Sequence, residues 1–142
     1  MMQILQPPGW ARAKGFANGI AASGKLVFIA GQIGWTGEGK WEAQDFAGQF
    51  RQTLKNIIEV LAQAGGKPQH LVRLTWYVLD KQEYLASLKD VGIAYRALMG
   101  RHFPTMAVVQ VGGLIEPEAR LEIEATAGCA SSAVSTSGPA ML

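Results

Sequence analysis

From Asp45 onward the apolar positions Phe46, Phe50, Leu54, Ile57, Ile58 and Leu61 recur at intervals of three and four. That spacing lays one greasy stripe along a helix, which Gly65-Gly66 ends. A second stripe of Tyr84, Leu85, Leu88, Val91, Tyr95 and Leu98 follows Asp80, a residue suited to capping a helix start. Between the two, residues 70–79 are dense in Val, Leu, Trp and Tyr and read as a buried strand. Ahead of the first helix, residues 16–23 and 26–30 flank Ser23-Gly24-Lys25 and predict a hairpin, followed by a loop over 31–40. Beyond the second helix, residues 105–111 and 120–127 flank a turn that holds Gly112, Gly113 and Pro117 and predict two more strands. The order is ββαβαββ. It describes an α+β fold with a mixed sheet and both helices on one face, because a strand, helix, strand crossover is almost always right-handed.

The opposite face of that sheet is where the pattern becomes informative. In the strand from Thr105, one side carries Thr105, Ala107, Val109 and Val111, the other Met106, Val108, Gln110 and Gly112, so neither side is clearly polar. A strand with two apolar sides asks for cover on both. The two helices supply one cover, and a second copy of the chain is the most economical source of the other. An obligate oligomer is expected.

Composition narrows the function classes. A chain of 142 residues, 49% hydrophobic, has material for one core, expected over residues 1–127, with residues 128–142 as an uncharged, Ala-, Ser- and Thr-rich tail. The 13 Lys and Arg are scattered among 11 Asp and Glu for a net charge of +2, so no basic stripe announces a nucleic-acid face. The start, MMQILQPPGW, has no basic region followed by a long apolar core, and no run approaches a membrane span. A cytoplasmic protein with no membrane partner is expected.

Few residues offer chemistry. Cys129 is the single cysteine, outside the last expected strand, and reads as an inert thiol. His70 and His102 are too far apart to form a ligand pair at helical spacing, so no metal site is expected. The loop from Gly34 to Lys40 satisfies GxxxxGK, but Trp41 stands where a phosphate loop needs Ser or Thr, and Glu38 repels phosphate. Trp35, Trp41 and Trp76 are candidates for stacking on a planar ligand and, more commonly, for burial. Glu122 and Glu124 share one face of the last strand, about 7 Å apart.

Several stretches resemble the RidA/YjgF reactive-intermediate deaminase family, formerly called L-PSP endoribonucleases. VFIAGQIG over 27–34 is similar to the family's strand ending in GQI. Asp45, Ala47, Gln49, Arg51, Gln52, Leu54, Asn56 and Ile57 meet its helix pattern DxAxQxRQxLxNI. LTWYVLD over 74–80 and LEIEATA over 121–127 are similar to its central and terminal strands. The resemblance covers residues 15–127. It implies a chorismate-mutase-like fold assembled as a homotrimer, with small-molecule pockets in the clefts between subunits. In the family these pockets hydrolyse enamine or imine acids to keto acids and ammonia without a cofactor.

Carried over by position, the resemblance makes Glu122 the catalytic, water-positioning residue. Phe16, Ala30, Gly31, Gly92, Met106 and Val108 then line the pocket. Phe16 stands at a tyrosine position, Ala30 at a serine, Gly92 at an asparagine, and Met106 at the arginine that holds the substrate carboxylate. An acid set among Phe16, Ala30, Met106 and Val108 with no cation opposite keeps its charge at a cost, which favours an uncharged or positively charged ligand. Arg73 and Arg101 are the residues that could replace the missing arginine, although a solvated surface arginine is the commoner fate of each. Three functions follow: a diverged hydrolase of C=N or enamine compounds, a non-catalytic trimer that binds a metabolite or partner, and a ribonuclease or translation inhibitor. The last requires acid, base and phosphate-binding groups in one cleft, and the sequence shows no such cluster.

Overall fold

The computed structural model describes residues 2–130. The chain runs β1 (Met2–Leu5), β2 (Gly19–Ala22), β3 (Lys25–Gln32), α1 (Phe46–Ala62), β4 (Leu71–Val78), α2 (Lys81–Ala86), α3 (Leu88–Met99), β5 (Thr105–Gln110) and β6 (Leu121–Cys129). The main sheet has the order β3-β6-β4-β5, with β4 and β5 parallel and the other two pairs antiparallel. The parallel pair is the one joined through helices, as a crossover requires.

Helix α1 forms where the periodicity places it, with Asp45 capping it through a bond from the Gly48 amide. Phe50, Leu54, Ile57 and Leu61 are fully buried against Leu74 and Val78 of β4 and Leu121, Ile123 and Ala127 of β6. Val91, Tyr95 and Met99 of α3 close the same layer, and Tyr84 of α2 packs edge-on against Phe46 and Trp76. All three helices therefore cover one face. The alternate residues of the sheet point the other way: Leu26 and Phe28 on β3, Arg73, Thr75 and Tyr77 on β4, Glu122 and Glu124 on β6. No helix among the described residues covers that face, and Phe28 is 74% exposed.

Three expectations are corrected. Residues 16–30 do not make a paired hairpin: β2 pairs with β1, an N-terminal strand not anticipated, while Gly24 at φ 110° turns the chain so that β3 pairs with β6. A four-residue strand is too short to show alternation, and Pro7-Pro8 stops it. The second helix is two helices, broken at Ser87, whose amide and hydroxyl (2.8 Å) both donate to the Glu83 carbonyl that ends the first. Strand β6 runs past Ala127 to Cys129, so Gly128 and Cys129 are buried sheet residues and not the beginning of a tail. Strand β5 lies at the sheet edge with Val108 36% and Val109 43% exposed in the single chain, so the second cover expected for it is not supplied by the described residues. The remainder of the expected tail, 131–142, lies outside the described residues.

Candidate functional site

Strand register sorts the site residues into two groups. Met106 lies beside Leu74, and Glu122 beside Tyr77, on opposite edges of β4. Leu74 faces the helices and Tyr77 faces away. Met106 and Glu122 are thus two strand spacings apart across the sheet and three residues apart along it, about 14 Å in all, and on opposite faces. One protomer does not bring them together.

The first group lines a cleft of about 550 Å³ between α3 and the edge strand β5. Phe16, Gly92, Met106 and Val108 all border it, with Trp76, Tyr84 and Phe103 completing its apolar wall. Phe103 stacks on Tyr95 at 5.2 Å between ring centroids, and the Tyr95 hydroxyl donates to the His102 carbonyl. Burial pushes the phenols of Tyr84 and Tyr95 above the ordinary tyrosine value, so both are neutral donors at physiological pH.

The second group is built around a β-bulge. Pairing between β3 and β6 slips between Ile29 and Gln32, which leaves Ala30 and Gly31 out of the ladder. The Glu122 side chain fills the space over Gly31, where an added Cβ would stand 2.8 Å from its carboxyl carbon. Nearby on the same face the Tyr77 hydroxyl donates to Glu124 (2.6 Å), and that bond, ahead of desolvation and the charges of Glu124 and Glu122, holds Tyr77 above its ordinary value.

The helix pattern that carried much of the resemblance explains how this second group is held. Asn56 is buried, and its amide donates to the carbonyls of Ile33 (3.1 Å) and Trp35 (2.7 Å), just past the bulge. Gln49, fully buried, donates to the Glu118 carbonyl (2.9 Å) and accepts from the Arg120 amide (2.9 Å), just ahead of Glu122. These side chains clamp the two loops that aim Gly31 and Glu122. Their role is positional, and buried amides bonded this fully rigidify the chain around them.

One expectation about cations changes. Neither Arg73 nor Arg101 borders the Met106 cleft: Arg73 lies in a shallow hollow on the open face with Phe28 and Glu124, and Arg101 lines a separate hollow with Trp10 and Arg12. The cleft is not free of cations, however, because Lys14 and Arg96 stand at its rim. Sequence reasoning missed both. The available signal was Gly92 and Arg96 one helical turn apart, on the helix that carries the second apolar stripe. The glycine-rich loop folds back on itself through bonds between Thr36 and Lys40, and α1 starts only at Phe46, so no helix N-terminus receives a phosphate there. Trp35 and Trp41 pack on each other at 6.0 Å, and Trp76 is core.

Both histidines are engaged by backbone, His70 Nδ1 accepting from the Lys67 amide (2.9 Å) and His102 Nε2 lying 2.7 Å from the Leu71 carbonyl. Among the described residues no three His, Cys, Asp or Glu side chains gather as a metal-binding set, and no helix is long and apolar enough to cross a membrane.

An α+β protomer with a helix-covered mixed sheet, a bulged β3 and a cleft beside its edge strand defines a fold class seen in solved structures. The Rid-family protein YyfB from Yersinia pestis superposes with a TM-score of 0.80 at 31% identity, over 90% of this chain and 98% of that one. The Escherichia coli YjgF gene product does so at 0.63 and 32%, over 74% and 81%. In sequence, the 2-iminobutanoate/2-iminopropanoate deaminase of Salmonella typhimurium is 31% identical over 107 residues, 73% of this chain and 80% of that protein, and the human deaminase is 31% identical over 104 residues, 72% of each. The family model described as endoribonuclease L-PSP matches residues 10–129. The chain belongs to that family, the RidA/YjgF family.

Proposed function

We propose that this chain acts as a homotrimer in which the Met106 cleft of one copy is closed by the Ala30, Gly31 and Glu122 ridge of the next, and that the composite site hydrolyses a small imine or enamine. The observation that carries this reading is the division of the site residues between two faces. Each group is incomplete alone, and two copies meeting across the open sheet face and the β5 edge complete both. Leu26, Phe28 and Val109, exposed on that open face, are the apolar surface such a contact buries. The deaminase names of relatives at about 31% identity support the reaction class.

In this reading the substrate lies against Met106 and Val108, and Glu122 orients a water toward the C=N carbon. The water oxygen bonds to carbon, nitrogen takes the proton, and the carbinolamine collapses to a carbonyl compound and ammonia. Glu122 carries both water protons to nitrogen in turn, the first as the water adds and the second from the carbinolamine hydroxyl as the C–N bond breaks; an enamine joins this route once its β-carbon has taken the proton its nitrogen gives up, so no cofactor enters.

A second reading, a trimer that binds a metabolite without turning it over, is favoured by one specific feature. Phe16, Ala30, Gly92 and Met106 offer no side-chain hydrogen bond where the family has tyrosine, serine, asparagine and arginine. The ribonuclease reading has less support, since both histidines are occupied by backbone. A dehydratase that releases 2-aminoacrylate, with semicarbazide trapping what survives, separates the first two. Faster loss with the native chain and none with Glu122→Gln supports the hydrolase. Equal loss with and without the native chain rejects it for this substrate and leaves the binding trimer.

A further inference from the structure

We infer that the Met106 cleft is an anion site whose cation has moved from strand β5 to helix α3: the Arg96 guanidinium, with Lys14 across the rim, receives the carboxylate of a small ligand whose apolar body lies on Met106 and Phe16. The inference rests on the reading of this cleft as the ligand site and reverses the ligand charge expected from the sequence.

Three observations carry it. Arg96 is one turn beyond Gly92, and helical side chains lean toward the N-terminus, so its guanidinium runs back along α3. Its Nη1 stands 3.2 Å from the point where a Cβ on Gly92 would be, with Cζ and Nη2 each 3.9 Å away. The departure at position 92 thus leaves free the space the guanidinium uses, and the departure at 106 leaves an apolar floor beneath it.

Arg96 and Lys14 are also uncommitted. Among the described residues neither makes a hydrogen bond or an ion pair, whereas Arg120 is held by Glu83. Within one chain no carboxylate borders the cleft, and in the composite site the one acid that faces these two cations is Glu122 of the next copy. Finally, the wall is a poor solvent for charge. Trp76, Tyr84, Val91, Phe103 and Met106 lower the local dielectric, which strengthens a guanidinium–carboxylate pair relative to the same pair in water.

A shape-matched set of probes tests this on the full chain. Benzoate, benzamide and benzamidinium share one ring and differ in charge. Titration calorimetry is expected to show benzoate binding about ten-fold or more tighter than benzamide, with benzamidinium weakest. In Arg96→Gln, whose site is exposed and leaves the core intact, the benzoate preference should vanish, and Arg96→Lys should keep part of it. Equal affinity for benzoate and benzamide, no benzoate binding at millimolar concentration, or a preference unchanged in Arg96→Gln each overturns the inference. The deaminase reading fails separately: an Arg96-dependent benzoate preference without imine turnover keeps the anion site and rejects the reaction, while turnover unaffected by Arg96→Gln does the reverse.

Discussion

The carboxyl group of Glu122 occupies the space over Gly31 that any side chain at position 31 would take, with a Cβ there falling 2.8 Å from the carboxyl carbon. The bulge that frees Ala30 and Gly31 from the ladder and the glycine at its second position act as a pair, one lifting the backbone out of register and the other leaving room for the acid.

Gly31→Ala should therefore change function more than stability. The atoms it meets belong to the far end of a flexible side chain, so Glu122 swings aside, and the melting free energy should shift by only about 1 kcal/mol or less. Ligand affinity or imine turnover should fall by about an order of magnitude, since a misplaced catalytic group is costly. Thermal melts beside the trapping assay check both halves.

Asn56→Ala should be strongly destabilising. The Ile33 and Trp35 carbonyls lose their side-chain donor inside the protein, at a cost of about 2–4 kcal/mol. A lower urea midpoint with unchanged slope is the expected outcome. Asn56→Asp should not rescue it, because a carboxylate cannot donate to those carbonyls.

Tyr95 predicts an alkaline limit. Burial raises its phenol above the ordinary value near 10, so the protonated ring stabilises the fold in full below that pH. As pH climbs above about 10 the unfolded chain loses the proton first, and stability falls. Tyr95→Phe should be about 1 kcal/mol less stable at neutral pH, having lost the bond to the His102 carbonyl, yet show a shallower decline above pH 10. Urea midpoints between pH 7 and 11 distinguish the two slopes.

Phe28 tests the open face. It is 74% exposed on the sheet face away from the helices. If neighbouring copies cover it, Phe28→Glu loses about 1.5–3 kcal/mol of apolar burial per copy and adds a charge to the contact, so the variant should sediment as a folded monomer. Its circular dichroism should match that of the native chain.

Much of the protomer was legible in the sequence because its signals are long. Helix α1 shows four turns of apolar spacing and β4 eight residues of strand composition, and both lie close to where those patterns put them. Strand β1 has four residues, too few for a period, and the apolar stripe runs unbroken through Ser87, so no hydrophobic pattern encodes the break there. Site residues were legible through positional resemblance alone. That Met106 and Glu122 face opposite ways follows from register across β4, which is a long-range property. Arg96 escaped notice because its importance depends on what Gly92 lacks.

Sedimentation equilibrium of the full chain at micromolar concentration tests the shared site most directly. The account predicts one species of three times the 15.2 kDa chain mass. A single-chain mass across the concentration range would contradict it, since the Met106 cleft would then never meet Glu122.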